Sequence, residues 1–155
     1  MPPPYVIDAS VWINVWRAHP PDRYVSVWAR IDAAVADDTI RSPEDVRQEL
    51  ERGTDDLADF LSQRDGLFAP LDEAQMAAVR EVQTRCEGLA DEDGERNRAD
   101  PFVVALARVR QGTVVTAERG RRDANGRPRI PDACQEFGLP CLDWFGFLRE
   151  VDWVF

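Results

Sequence analysis

Asp8 closes the short apolar run Tyr5-Val6-Ile7 and stands directly before a helix start. So short an apolar run, opened by Pro2-Pro3-Pro4, reads as a fully buried strand of a parallel sheet. Asp8 then lies at the carboxyl end of that strand, the edge at which open α/β sheets bind ligands. A carboxylate leaving a buried strand needs a partner, which can be a helix N-terminus, an arginine or a cation. Three further acids fall at comparable places. Glu49 lies three residues after Val46 and beside Leu50, so it projects along the inward face of a helix. Asp100 precedes Pro101, which puts it at the N-cap of the next long helix. Glu118 follows the β-branched run Thr113-Val114-Val115-Thr116, a buried strand. Three or four converging carboxylates are the hard oxygen ligands that Mg²⁺ takes together with water and phosphate, and no histidine is required. The single histidine, His19, sits at a helix end.

The elements that must position these acids alternate along the whole chain. Ser10 is a plausible N-cap for a helix carrying Val11, Trp12, Ile13 and Trp16, which Pro20-Pro21 stops. A second helix is expected from about Asp22, with Tyr24, Val27, Trp28, Ile31, Ala34 and Val35 on one face. Thr39-Ile40-Arg41 reads as a strand, and Ser42-Pro43-Glu44-Asp45 as a helix start with a Ser cap and Pro at the first helical position. The helix carrying Glu49 runs to about Arg52. Helices over 54–64 and 72–87 flank the strand Leu67-Phe68-Ala69, a polar loop covers 91–98, and an apolar, central helix begins at Asp100. After the Thr113 strand comes an exposed basic loop, Arg119 to Arg129, holding Arg119, Arg121, Arg122, Arg127 and Arg129 with an Asn125-Gly126 turn. Pro131-Asp132 opens a short helix closed by Gly138, Leu139 to Leu142 is a last strand, and Asp143 starts a closing helix. Trp144, Phe145, Phe147, Leu148, Trp153 and Phe155 read as core, with a dimer or partner surface as the alternative. This alternation predicts a three-layer α/β/α fold around a parallel sheet, with right-handed crossovers bringing Asp8, Asp100 and Glu118 to one edge and Glu49 within reach.

The chain has 155 residues, which suits a single domain over 1–155 able to bury roughly 70 % of its unfolded surface. Cys86, Cys134 and Cys141 are odd in number and match neither a CxxC pair nor a zinc ribbon, so they are expected as reduced core thiols. There is no basic leader and no uncharged stretch near the ~20 residues of a membrane span, so the expectation is a soluble, cytoplasmic protein with no membrane contact. A formal charge of -10 argues against a general nucleic-acid coat and leaves room for a nuclease with one local basic segment. All 19 basic residues are arginine.

Val6-Ile7-Asp8-Ala9-Ser10, the inward Glu49 in Val46-Arg47-Gln48-Glu49-Leu50, Asp100-Pro101-Phe102-Val103-Val104-Ala105 and Val114-Val115-Thr116-Ala117-Glu118, in this order over nearly the whole chain, resemble the PIN-domain ribonucleases. The resemblance implies a sheet of about five parallel strands, Mg²⁺- or Mn²⁺-dependent cleavage of RNA, and frequent membership in toxin and antitoxin pairs of the VapC kind. It also implies a homodimer and a cognate antitoxin as partners. Carried over by position, Asp8, Glu49 and Asp100 match the family's three acids, and Thr116 and Glu118 its strand-end threonine and later acid. One departure is that the later acid is usually aspartate, so Asp132 could take the fourth place instead of Glu118. On this pattern Asp8 and Asp100 are the principal metal ligands, Glu49 is a ligand or water orienter, and Glu118 supports them. Ser10 and Thr116 fix the carboxylates by hydrogen bonds. The basic loop would guide RNA.

Each acid also has a purely structural reading: Asp100 and Asp8 as helix caps, Glu49 turned to solvent, Glu118 paired with Arg119 or Arg121. Together they leave several converging acids without compensating charge, which a cation relieves. Two other functions compete: a PIN-like binding module without turnover, and a phosphatase or receiver-type domain using Asp8 as phosphate acceptor. The latter lacks a second acid at position 10 and any lysine to hold the phosphate.

Overall fold

In the computed structural model, which describes residues 4–90, 98–120 and 126–155, the strands form one five-stranded parallel sheet. The elements are β1 (Tyr5–Ile7), α1 (Ala9–Ala18), α2 (Val25–Ala36), β2 (Ile40–Pro43), α3 (Glu44–Gly53), α4 (Asp55–Ser62), β3 (Phe68–Ala69), α5 (Glu73–Arg85), α6 (Asp100–Arg110), β4 (Thr113–Val115), α7 (Ile130–Phe137), β5 (Cys141–Leu142) and α8 (Trp144–Glu150). The spatial order is β3-β2-β1-β4-β5. The chain therefore builds outward from β1 in one direction, then returns to lay β4 on the other side. α3 packs on α1 and α4, and α6 on α5 and α7, the two groups that the right-handed rule for parallel crossovers assigns to opposite faces of this strand order. This is the three-layer α/β/α arrangement expected from the alternation, and its topological switch point lies between β1 and β4.

Both neighbours of β1 are set by register. Tyr5 pairs with Ile40 on one side and Thr113 on the other, and the β4 ladder runs through Ile7 and Val115. The Asp8 N–H continues it to the Val115 carbonyl at 3.0 Å. β4 can approach so closely because Gly112 precedes it: a Cβ there would lie 2.2 Å from the Pro4 carbonyl oxygen. β1 is buried from Val6 onward, and α6 is apolar nearly all round, with Val103, Val104, Ala105, Leu106 and Ala107 all buried. Trp12, Ile31, Ile40, Leu50, Leu57, Leu61 and Phe147 complete the core.

The helix starts differ from expectation in four places. α1 begins at Ala9 with Asp8 as its cap, so Ser10 is inside the helix. α2 begins at Val25, because the Arg23 and Tyr24 N–H groups fold back onto the Pro20 carbonyl at 2.9 Å and occupy the chain up to there. Ser42 is a strand residue, Pro43 takes the N-cap position and no side chain caps α3, because the Ser42 hydroxyl is engaged elsewhere. Asp100 is the first helical residue and Ala99 the N-cap, so the Asp100 carboxylate is not used in capping. Among the aromatic residues expected in the core, Phe147 is fully buried, whereas Phe145 is 62 % exposed and Phe155 is exposed. α8 presents one face inward, and Phe145, two residues from Phe147, points the other way. The polar loop, through residue 97, and the Arg121 to Asn125 part of the basic loop lie outside the described residues. Among the described residues no helix is long and apolar enough to cross a membrane.

Candidate metal centre

The carboxyl ends of β1 and β4 are tied to each other through Asp8. One Asp8 oxygen, Oδ1, accepts the Ala9 N–H at 2.8 Å. The other, Oδ2, accepts the Ser10 hydroxyl at 2.7 Å and the Thr116 hydroxyl at 3.0 Å. Those hydroxyls are themselves held by the segment after β4: Ser10 Oγ accepts the Ala117 N–H and Thr116 Oγ1 the Glu118 N–H, each at 3.1 Å. Asp8 is thus oriented by three donors while remaining only 3 % exposed.

Two more acids close on it from different layers. α3 leaves the end of β2 with Val46 and Leu50 buried, and Glu49 on the same side has its Oε2 buried with no hydrogen-bond partner. α6 begins at the same edge of the sheet, where Asp100 is 4 % exposed. One carboxylate oxygen from each of Asp8, Glu49 and Asp100 lies within 4.8 Å of the other two. No ion pair reaches any of the three among the described residues.

Burial and mutual repulsion push protons onto this group. Asp100 is raised to about 10, first by burial and then by the charges of Asp8, Glu118 and Glu49. Glu49 is raised to about 7 by burial and by Asp8, with Arg52 opposing the shift. Burial raises Asp8 even against its hydrogen bonds. The donor set is all hard oxygen, one atom of it is orphaned, and no ion pair among the described residues offsets the charges, which is the environment a small divalent cation fits.

The remaining candidates sit around this group. Glu118 accepts the Ile130 N–H at 2.9 Å at the start of α7, is raised by burial, and contributes to the fields at both Asp100 and Glu49. It lies outside the group of three. Asp132 accepts the Arg129 N–H at 2.8 Å and so closes the first turn of α7; its charge acts on Glu118. Arg119, Arg127 and Arg129 are exposed, Arg129 acting on Glu118, while Arg121 and Arg122 lie outside the described residues. One residue in this region was misplaced by sequence reasoning. Ser42, whose local pattern before Pro43 is that of a helix cap, is fully buried and hydrogen-bonds the carbonyl of Ile7, next to Asp8. Its signal was the following Pro43, which has no N–H to offer a neighbouring strand.

A family model described as "Domain of unknown function (DUF4411)" matches residues 5–155. No curated protein matches the chain.

Proposed function

The chain belongs to the DUF4411 family, whose description names no activity; from the site itself we propose that it is a metal-dependent endoribonuclease of the PIN-like kind, acting as the toxin of a toxin and antitoxin pair. The observation that supports this is the meeting of Asp8, Glu49 and Asp100, remote in sequence, within 4.8 Å at the switch point of the sheet. In this reading Asp8 and Asp100 are the principal ligands of Mg²⁺ or Mn²⁺, and Glu49, with its orphaned oxygen, is the third ligand or orients water. The bound ion supplies Lewis-acid polarisation of the scissile phosphate and an acidified water.

The protein's own groups do the rest. Ser10 and Thr116 hold the Asp8 carboxylate in one orientation, so an oxygen is presented without rotamer search. Asp100, raised to about 10, holds its proton at neutral pH in the absence of positive charge, while Glu49, raised to about 7, is divided between its two states there. Glu118 adds negative potential from beside the group, and Arg119 and Arg129 offer the RNA backbone charge at the rim. A cognate antitoxin and a homodimer belong to the same proposal.

The test is cleavage of a fluorescent single-stranded RNA by the purified chain with Mn²⁺ or Mg²⁺ and with chelator. Cleavage is expected only with the ion, and Asp100→Asn should reduce it at least a hundredfold, the scale on which loss of a preorganised charge acts. Metal-independent cleavage, or full activity in the variant, defeats the proposal.

A further inference from the structure

A single buried hydroxyl bridges the strand ends from which Asp8 and Glu49 depart. Ser42 is 0 % exposed; its Oγ donates to the Ile7 carbonyl at 2.6 Å and accepts the Trp12 indole N–H at 3.0 Å. The reason lies in the register of the sheet. β1 and β2 pair Tyr5 with Ile40 and Val6 with Arg41, and one further step of a parallel ladder would bring the N–H of residue 43 to the Ile7 carbonyl. Residue 43 is proline and has no N–H. The Ser42 N–H is already given to the Leu67 carbonyl beside β3, at 2.9 Å. The hydroxyl therefore replaces a missing rung at the carbonyl immediately before Asp8. Trp12 is tied to the same place from the other side, since its own N–H reaches the Asp8 carbonyl at 3.4 Å and its indole is fully buried.

We infer that Ser42 is a positioning residue of the metal centre: by joining the Ile7 carbonyl and the Trp12 indole to the end of β2 that leads through Pro43 into α3, it fixes the separation of Asp8 from Glu49. The inference rests on reading the three acids as a cation site. Without the hydroxyl, the peptide before Asp8 has a buried acceptor with no donor, and the strand end relaxes away from β2. The two carboxylates then no longer present their oxygens at a common distance. Ser10 and Thr116 still orient Asp8 itself, so the effect falls on spacing rather than on the Asp8 rotamer.

The experiment is Mn²⁺ binding to the full chain by calorimetry, with the melting temperature of each variant measured in chelator. Ser42→Ala is expected to weaken Mn²⁺ about tenfold, the lower end of what partners outside the coordination contribute. Val79→Ala, a core truncation on α5, which carries none of the three acids, lowers the melting temperature and leaves Mn²⁺ affinity unchanged. Trp12→Phe keeps the Ser42 to Ile7 bond and loses the indole donor along with part of a fully buried ring, a packing loss for which Val79→Ala is the control, so it should weaken Mn²⁺ by a smaller factor in the same direction; it carries the test if Ser42→Ala does not fold. Wild-type affinity in Ser42→Ala, or in Trp12→Phe where only that variant folds, overturns the inference while leaving the metal centre standing. A wild-type chain that binds no Mn²⁺ removes the metal centre, and the inference with it.

Discussion

The Thr116 hydroxyl donates to Asp8 Oδ2 across 3.0 Å and accepts the Glu118 N–H at 3.1 Å, so one oxygen joins the ends of β1 and β4 where the strand order reverses. Thr116→Val keeps the shape and removes both bonds. It should lower stability by about 1–3 kcal/mol, because the Glu118 N–H loses its acceptor and the Asp8 carboxylate a donor. Denaturant unfolding measures this, and an unchanged midpoint would show that water replaces the hydroxyl without loss.

Stability of the metal-free protein should fall as pH rises. The folded Asp100 is raised to about 10 by burial and by neighbouring acids, while its unfolded value is near 3.8. Below the unfolded value both states hold the proton and no penalty exists. Between the two values the unfolded chain has released a proton that the folded chain keeps, so each pH unit costs about 1.4 kcal/mol per such group, until the folded value is passed. Unfolding in chelator at pH 5, 7 and 9 should show a steady decline. Asp100→Asn should flatten it and be more stable than the parent at pH 8.

Added Mn²⁺ or Mg²⁺ should raise the melting temperature, and more so at pH 8 than at pH 6. Protons and the cation compete for the same oxygens, and Glu49, raised to about 7 by burial and by Asp8, changes occupancy across that interval. At one hundred times the dissociation constant the gain is about 2.7 kcal/mol. Thermal scans against metal concentration at the two pH values measure it; a metal effect that is equal at both would mean that the acids are not the ligands.

Phe147 and Phe145 should behave oppositely. Phe147 is fully buried, with Tyr5, Trp144 and Trp153 rings at 5.0, 5.3 and 5.2 Å. Phe147→Ala should cost about 3–5 kcal/mol. Phe145→Ser, on the exposed side of α8, should stay within about 0.5 kcal/mol. Comparable losses in both would place Phe145 in an interface that the isolated chain does not reveal.

The fold was legible because buried parallel strands are short, uniformly apolar and punctuated by helix signals; Tyr5-Val6-Ile7 and Thr113-Val114-Val115 needed no tertiary information to be recognised. Glu49 was legible from its place beside Leu50. Capping was misread where one residue type serves two purposes. Ser42 before a proline has the local pattern of a cap, yet an unfilled carbonyl on β1 outcompetes the helix for its hydroxyl, and only the strand pairing reveals that competitor. Asp100 before Pro101 was displaced by one position for a related reason: Ala99 takes the N-cap place and the acid faces its neighbours instead of the helix end. Glu118 and Asp132 both bond backbone N–H groups at the start of α7, a sharing that the spacing between them does not reveal.

Because β4 is laid against β1 only after β2 and β3 are in place in the chain, the three carboxylates come from segments that span most of the polypeptide, and the Thr116 tether arrives last. A nascent chain emerging from the ribosome cannot assemble the trio until α6 is out, and cannot secure Asp8 until the fourth strand has docked. The architecture keeps the three carboxylates apart through most of the chain's synthesis, so their meeting is a late step.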